Sequence, residues 1–369
     1  MPSNDQAFDV VIVGGGIVGL AVAWRARQQG LSVTVLERGA ISARCATGVA
    51  AGMLAPVSEV EFGEAGRRVL DLGLRSAQMW PGFVDELQQA AGVDVGLRQS
   101  GTLVLARDED EARELERQLV LRESLGLRAR RLRASAAREL EPALAPTVRL
   151  ALEAPDDHSV DPRLVLAALR HACERSGVSV REQAPVAHVE LNGPDEAVTG
   201  VALADGERIA AAQVVLAAGA WSGDIGGLPA HARVPVRPVK GQILRLRDPA
   251  GPGLLERTVR FEGGYLVPRG DGHYVLGATV EERGFDERPT AGGVYELLRA
   301  ARELVPGVLE LQIEELSVGF RPSTPDNTPV IGPGAVDGLV WATGHHRNGI
   351  LLAPLTAELV AEALVGVLA

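Results

Sequence analysis

Apolar residues near the start of the chain follow the order strand, helix, strand. The run FDVVIVG (8–14) is rich in β-branched residues and predicts a strand buried on both faces. The segment 14–30, GGGIVGLAVAWRARQQG, predicts a helix that begins within the glycines and ends at Gly30. A second strand is predicted by LSVTVLERG (31–39). This β-α-β order is typical of a doubly wound parallel sheet.

The rest of the chain mixes helical periodicity with strict alternation. Helical patterns lie at 63–92, 108–126, 161–177, 290–305 and 349–368. In the third of these, Asp161 is the predicted N-cap and Pro162 the first helical residue. Residues 198–211 predict an antiparallel hairpin, followed by a separate buried strand at the start of AQVVLAAGAWSG (212–223). Residues 234–280 alternate strongly and predict an antiparallel sheet with glycine-containing turns.

Length and charge narrow the class of protein. The chain has 369 residues, more than one core usually holds, so two closely packed domains are expected. The net charge of −11 argues against nucleic acid or an anionic membrane as partner. Cys45 and Cys173 form no disulfide framework, and no His, Cys or carboxylate cluster has metal-ligand spacing. The acidic, polar start lacks the basic region of a signal peptide, so we expect a cytoplasmic protein.

A glycine motif stands between the first strand and the first helix. In Gly14-x-Gly16-x-x-Gly19 the first glycine makes the turn, the second lets a pyrophosphate approach the backbone, and the third allows close packing. Glu37, at the end of the second strand, is placed to bind a ribose hydroxyl pair. The motif alone does not distinguish NAD from FAD.

Two later segments return to the same cleft. One is the strand that leads to Gly219, and the other is ATGHHRNGILLAP (342–354), in which four polar residues separate two apolar runs. Three strand ends that converge on one cleft favour a long cofactor such as FAD. We therefore predict an α/β fold. A doubly wound, Rossmann-type FAD-binding domain is expected at 1–55, 150–225 and 330–369, and an inserted antiparallel-sheet substrate domain at 56–149 and 226–329.

Four segments carry a family resemblance: SARCATGVAAGMLAP (42–56), GYLVPR (264–269), GFRPSTPDNTPVIG (319–332) and GHHRNGILLAP (344–354). They resemble the FAD-dependent D-amino-acid oxidase and sarcosine oxidase superfamily, and most closely its glycine oxidases of thiamine biosynthesis. The resemblance implies noncovalent FAD, a small amino-acid substrate, O2 as the electron acceptor, a homo-oligomer such as a tetramer, and an imine that is handed to the thiazole synthase.

The same resemblance implies the cofactor residues position by position. They are Ile17, Val18, Glu37 and Arg38 for the adenosine and phosphates; Ala46, Thr47, Ala51, Gly52 and Met53 for the phosphates and flavin ring; the backbone of Val186 for the adenine; and His345, His346, Arg347, Asn348, Gly349, Ile350 and Leu351 for the pyrimidine edge of the flavin. The segment between Glu37 and Gly52 is one residue longer than in the family, so the register of Cys45, Ala46 and Thr47 stays open by one residue.

For the substrate, the resemblance implies that Arg321 holds the carboxylate, that the Tyr265 hydroxyl assists it, and that Arg347 is a second substrate-side arginine. From the residues alone, Arg321 reads by default as a loop ion pair and Tyr265 as a half-buried sheet residue, and Arg347 can be a surface arginine. We expect His345 and His346 to pack or hydrogen-bond rather than to act as acid or base.

The expected activity is oxidative deamination of glycine and related small amines to the imine, with H2O2 as the second product. The alternatives are a sarcosine or D-amino-acid oxidase, a quinone-linked dehydrogenase, or a flavin-binding protein without turnover. No general base is evident, so we expect the substrate amine to react in its neutral form. Gly263 and Val280 stand where the family has larger pocket residues, and both changes predict a wider pocket.

Overall fold

The computed structural model describes residues 7–41, 45–193 and 197–368. Residues 1–6, 42–44, 194–196 and 369 lie outside this description. The predicted nucleotide-binding segments are therefore described only in part. The same holds for the SARCATGVAAGMLAP motif, whose first three residues lie outside the described chain.

The described residues form two large sheets and eight α-helices. The strands are β1 (Phe8–Val13), β2 (Val33–Leu36), β3 (Met53–Leu54), β4 (Thr102–Ala106), β5 (Arg130–Arg133), β6 (Leu150–Ala154), β7 (His158–Ser159), β8 (Ser179–Arg181), β9 (Val186–Leu191), β10 (Val198–Leu203), β11 (Arg208–Leu216), β12 (Arg237–Arg247), β13 (Thr258–Phe261), β14 (Gly264–Pro268), β15 (His273–Gly277), β16 (Gln312–Ser323), β17 (Val330–Pro333) and β18 (Leu339–Thr343). The helices are α1 (Ile17–Gln28), α2 (Ala46–Val49), α3 (Gly63–Ala91), α4 (Glu109–Ser124), α5 (Ala134–Leu140), α6 (Pro162–Ser176), α7 (Ala291–Leu304) and α8 (Ala353–Leu368). No helix of the described ranges is long and apolar enough to cross a membrane.

The first sheet has the strand order β17-β18-β11-β1-β2-β8. Within it β1 pairs in parallel with β2 and β11, and β11 pairs in parallel with β18. Alternate residues of β1 enter two different cores, with Val10 and Ile12 on one face and Val11 and Val13 on the other. Both faces are thus buried, which explains the continuous apolar run. The carboxyl ends of β1, β11 and β18 meet at one edge of this sheet.

The predicted α/β fold is confirmed, with one difference at β11. This single strand joins two elements that were predicted separately. Its first half pairs antiparallel with β10, where Ala210 lies opposite Gly200, and its second half pairs parallel with β1. The alternating burial of 208–212 and the continuous burial of 213–216 therefore reflect one strand that passes from an outer layer into the buried sheet.

The second sheet has the order β16-β12-β15-β14-β13-β4-β6-β5 and is antiparallel apart from the β13–β4 pair. Two segments belong structurally to the other part of the protein than the predicted domain bounds gave them. Residues 150–154, predicted in the nucleotide-binding part, form β6, which pairs with β4 and β5 of the second sheet. Helix α3, predicted in the substrate part, buries Trp80, Phe83 and Leu87 in the same core as α1 and α8. The apolar face of α3 packs on the side of the first sheet. The position of α3 in the sequence therefore led to the wrong domain assignment for this helix.

The last helix begins later than predicted. The pattern predicts a helix over 349–368, but residues His346–Asn348 form a short 3-10 turn and α8 begins at Ala353. Pro354 lacks an N–H and is tolerated only in the first turn of a helix, which explains this start. The residues between the turn and α8 are held by backbone bonds such as Leu352 N to the Asn348 carbonyl, 2.8 Å.

Candidate active site

The glycine loop closes tightly around the end of β1. Gly14 has a φ of +112°, and a Cβ there would lie 2.5 Å from the Ala217 carbonyl oxygen. A Cβ on Gly19 would overlap the Gly14 carbonyl. Gly16 differs, because a Cβ there would meet only Thr47 Oγ1, at 3.5 Å. The first and third glycines thus serve packing, whereas the backbone of Gly16 faces open space at the start of α1.

Glu37 and Arg38 lie where β2 ends, beside this loop. The Glu37 carboxylate accepts hydrogen bonds from Gly15 N at 2.8 Å and Gly39 N at 3.1 Å. The Arg38 guanidinium lies 3.5 Å from the ring centre of Trp221. The carboxylate is therefore fixed at the edge of the cleft, as recognition of hydroxyl groups requires.

The segment from Ala46 to Met53 runs along the cleft and is held from behind by arginines. Both Arg163 Nε and Arg245 Nη2 donate to the Gly48 carbonyl, at 2.9 and 2.8 Å. Arg269 Nη2 donates to the Ala51 carbonyl at 2.9 Å. Burial, together with the nearby Arg163 and Arg269 charges, lowers the pKa of Arg245 to about 10. A loop this well fixed presents its other side to the cavity in one conformation.

The C-terminal polar cluster divides between the cavity and the core. His345 is buried and its Nε2 lies 3.0 Å from Thr356 Oγ1. His346 has a φ of +47°, and its Nδ1 lies 2.6 Å from Ser323 Oγ. Burial lowers the pKa of each histidine to about 4, so both rings are neutral at pH 7. Arg347 points instead toward Glu59 and Glu61.

Arg321 lies on β16 in a space that a glycine provides. A Cβ on Gly241, in the neighbouring strand β12, would lie 2.7 Å from Arg321 Nη1. This Nη1 donates to the Thr279 carbonyl at 3.0 Å and the Lys240 carbonyl at 3.4 Å. Among the described residues, no carboxylate lies within ion-pair distance of Arg321. Its charge is therefore available to an anion in the cavity.

Tyr265 and Arg260 face each other on the hairpin formed by β13 and β14. The strands are joined by Glu262-Gly263, and Gly263 has a φ of +88°. This short turn sets the register that places Arg260 directly opposite Tyr265. Burial raises the pKa of the Tyr265 hydroxyl, which stays protonated and able to donate. A Cβ on Gly277 would lie 2.6 Å from that hydroxyl oxygen, so this position must also be small.

A single cavity of about 1620 Å³ connects the glycine loop with Tyr265 and Arg321. Most of the predicted site residues line it: Gly14, Gly16, Ile17, Val18, Glu37, Arg38, Ala46, Thr47, Ala51, Gly52, Met53, Val186, Gly219, Tyr265, Arg321, His345, His346, Arg347, Gly349 and Ile350. Gly19, Asn348 and Leu351 do not line it. Asn348 and Leu351 line a small neighbouring cavity, and the Leu351 carbonyl accepts from Ser76 Oγ and Trp80 Nε1 of α3.

The cavity fits a long dinucleotide. Pockets for one drug-sized ligand usually have 300–1,000 Å³, so this one has room for a cofactor and a small substrate. The N-terminus of α1 is suited to phosphate, because its N-cap, Gly16, has no side chain and its first turn has no acidic residue. No group of His, Cys, Asp and Glu side chains in the described ranges is arranged to hold a metal.

Comparison with known families agrees with this geometry. Residues 9–363 match the FAD dependent oxidoreductase (DAO) family. The chain belongs to this family. Its cofactor is accordingly FAD, and it is an oxidoreductase.

Relatives within the FAD dependent oxidoreductases extend over nearly the whole chain. A glycine oxidase of Geobacillus kaustophilus is 34% identical over 358 residues, which cover 96% of this chain and 92% of that protein. The crystal structure of glycine oxidase from Geobacillus kaustophilus superposes with a TM-score of 0.89 at 34% identity, covering 98% of this chain and 95% of the other. A bifunctional protein ThiO/ThiG of Synechocystis is 37% identical over 363 residues. These residues are 97% of this chain but 51% of that relative, so the chain spans about half of the bifunctional protein.

Several residues of the site were missed in the sequence. Glu59, Arg260 and Gly241 all line the cavity, and none of them belongs to a motif. A signal for Arg260 was present, because a two-residue turn at 262–263 places residues 260 and 265 opposite each other. No local signal marks Glu59 or Gly241, since their roles depend on distant partners. Gly241 lies 80 residues before Arg321, and Glu59 lies further still from its arginines.

Proposed function

We propose that this FAD dependent oxidoreductase oxidises glycine and related small amino acids to the imine, while O2 is reduced to H2O2. The imine derived from glycine hydrolyses to glyoxylate and ammonia. The proposal depends on Arg321, because a partly buried guanidinium without a carboxylate partner among the described residues faces the cavity. The similarity of nearly the whole chain to proteins named glycine oxidase supports the choice of substrate.

The residues of this chain position the substrate. FAD, when bound, supplies the chemistry: it takes a hydride from the α-carbon of the amine and passes the electrons to O2. Arg321 presents a planar fork of donors to the substrate carboxylate, and Tyr265 adds a hydroxyl donor. Arg321 and Tyr265 together fix where the α-carbon lies. Arg347 was predicted as a second substrate-side arginine, and it also forms ion pairs with Glu59 and Glu61.

The substrate amine must have a lone pair when it reacts. Tyr265 keeps its proton because its pKa is raised and so cannot accept another, and His346 is a weak base because its pKa is about 4. The Arg321 charge beside the amine disfavours the ammonium form. We infer that the enzyme takes the neutral amine rather than removing its proton with a dedicated side chain.

A partner is suggested by the bifunctional relatives. In the Synechocystis protein, a part similar to this chain is joined to a ThiG part. We propose that the imine formed here is passed to the thiazole synthase of thiamine biosynthesis, which would capture it before hydrolysis. A pull-down between the two purified proteins, combined with the yield of free ammonia, tests this step.

An alternative within the same chemistry is a sarcosine or D-amino-acid oxidase. It is favoured by the mouth of the cavity, where Gly263 has no side chain and Val280 is 72% exposed. Both positions leave space for an N-methyl group or a side chain on the substrate. A steady-state comparison of glycine, sarcosine and D-alanine ranks the candidates.

The central experiment mixes the FAD-loaded protein with glycine in the absence of air. Bleaching of the flavin absorption followed by H2O2 formation in air is the expected result. Arg321→Ala should raise KM for every carboxylate substrate by orders of magnitude, since loss of a charge-assisted pair costs about 2–5 kcal/mol. Arg128→Ala, at an exposed ion pair with Asp156, is the control. A flavin that no member of the substrate panel bleaches would refute the proposal.

A further inference from the structure

Three guanidinium groups lie at the substrate end of the cavity, and two of them are paired with a carboxylate of the described residues. Arg260 Nη2 lies 3.2 Å from Glu59 Oε1, and Arg347 Nε lies 3.5 Å from Glu59 Oε2. The two oxygens of one carboxylate thus serve two different arginines. Arg321, as described above, has no carboxylate partner in the described chain.

Glu59 is itself shielded from water. Its side chain is 12% exposed, whereas that of Glu61, the other partner of Arg347, is 58% exposed. The Glu59 backbone carbonyl also accepts from Arg347 Nη2 at 3.1 Å. Because water screens buried charges weakly, Glu59 offsets its two arginines far more effectively than Glu61 does.

The chain fixes the backbone just before Glu59 with two fully buried ionisable residues. Asp157 accepts from Val57 N at 3.0 Å and Ser58 N at 2.5 Å. Arg122 donates to the carbonyls of the same two residues, at 2.8 and 3.0 Å. Both Arg122 and Asp157 are 0% exposed. Burying two ionisable groups is costly, so this arrangement indicates that the position of the segment matters.

We propose that Glu59 determines specificity by limiting the site to amines that carry one carboxylate. This inference rests on the proposed function and narrows its substrate class. With Glu59 ionised, its charge and that of Glu61 together offset those of Arg260 and Arg347, and Arg321 is left to anchor an anion. A second acid group on the substrate would be buried next to the Glu59 carboxylate, which repels it. A neutral residue at position 59 leaves Arg260 without its carboxylate and Arg347 with only the exposed Glu61, so the positive charge around the cavity rises.

The test compares two inhibitors, acetate with one carboxylate and malonate with two. Their dissociation constants are measured from perturbation of the flavin absorption spectrum, which needs no turnover. Glu59→Gln should lower the ratio of the malonate constant to the acetate constant at least tenfold relative to the unmodified protein. Glu61→Gln, the matched control, should leave the ratio within twofold. An unchanged ratio in Glu59→Gln overturns the proposal.

A second variant tests the same idea with the opposite sign. Arg260→Gln removes one positive charge beside Glu59, so the negative charge of Glu59 acts more strongly on a second carboxylate. Malonate binding should therefore weaken more than acetate binding, and the ratio of the malonate constant to the acetate constant should rise. An unchanged or lower ratio contradicts the proposal even if Glu59→Gln does not fold. Glycine oxidation is scored separately. A shifted ratio without glycine oxidation supports the role of Glu59 and refutes the proposed function, and glycine oxidation with an unshifted ratio does the reverse.

Discussion

Gly241 lies diagonally across from Arg321 on the paired strands β12 and β16, and a methyl group on Gly241 would lie 2.7 Å from Arg321 Nη1. Gly241→Ala must therefore displace the guanidinium. Because only the far end of a flexible side chain moves, we expect little loss of stability but a KM for glycine about 10- to 100-fold higher, as for one charge-assisted hydrogen bond. Steady-state kinetics measure this change.

A matched control exists in α3. Gly82 is exposed, and a Cβ there would meet nothing within 4 Å. Gly82→Ala should leave KM unchanged, which separates a clash at Arg321 from any general effect of replacing glycine. An unaltered KM in Gly241→Ala would show that Arg321 is not the anchor of the carboxylate.

The pH profile tests how the amine becomes neutral. If the site binds the neutral amine, kcat/KM for glycine should rise about tenfold per pH unit below the pKa of the substrate amine. Tyr265→Phe should keep the shape of this profile, because a hydroxyl with a raised pKa is a donor and not the base. A flat profile between about pH 6 and about pH 10 would indicate a proton acceptor in the protein.

The buried His345 predicts a loss of stability in mild acid. Burial lowers its pKa to about 4, whereas an unfolded histidine titrates at about 6.5. Between these values the unfolded chain binds more protons, so the free energy of unfolding falls as pH falls through this window. In His345→Gln the slope, measured by urea unfolding at saturating FAD, should decrease by about 1 kcal/mol per pH unit.

Thr356→Val is the companion variant. It removes the hydroxyl that lies 3.0 Å from His345 Nε2 but leaves the ring buried, so the pH slope should persist. If the slope is equal in His345→Gln and in the unmodified protein, the acid sensitivity belongs to other groups, such as His346.

FAD affinity should depend on the two arginines behind the Gly48 carbonyl. Arg163 and Arg245 both donate to this oxygen, so each single change to methionine leaves one donor in place. The double variant leaves the Gly48 carbonyl without either donor, which costs about 1–3 kcal/mol of free energy. We expect the dissociation constant of FAD, followed by flavin fluorescence, to rise about tenfold or more in the double variant and much less in either single one.

Exposed arginines on α7 provide the comparison for that experiment. Arg299→Met combined with Arg302→Met changes the same amount of charge at exposed side chains that do not line the cavity. This pair should leave FAD binding unaltered. Additive small effects at Arg163 and Arg245 would mean that the Gly48 carbonyl does not depend on them.

Much of the fold could be predicted from the sequence because the signals for its helices and strands are local. The apolar run of β1, the glycines and the N-cap Asp161 each act within a few residues, and Asp161 indeed accepts from Arg163 N at 2.8 Å. The start of α8 was missed although Pro354 marks it, because the glycine at 349 drew the predicted helix too far toward the N-terminus. Helix α3 was placed in the wrong domain for a different reason, because an apolar face in the sequence does not indicate which hydrophobic core it packs against.

The site was harder to predict, since partners distant in sequence meet there. Arg321 and Tyr265 were found through family motifs, whereas Gly241 shows its role only when β12 lies beside β16. Arg347 lines the cavity and also pairs with Glu59 and Glu61, 288 and 286 residues away, so its role as a substrate-side arginine stays a prediction. The roles given to the cofactor residues remain predictions.

The arrangement around Val57 and Ser58 constrains how this site can be redesigned. One buried side chain, Asp157, holds both N–H groups of this short stretch, and another, Arg122, holds both carbonyls. If either side chain is replaced alone, backbone groups of residues 57–58 are left buried without a hydrogen-bond partner. A loop graft from a homologue, or a drift in evolution, therefore has to exchange residues 57–58, 122 and 157 as one unit, and libraries that vary them independently will mostly yield misfolded protein.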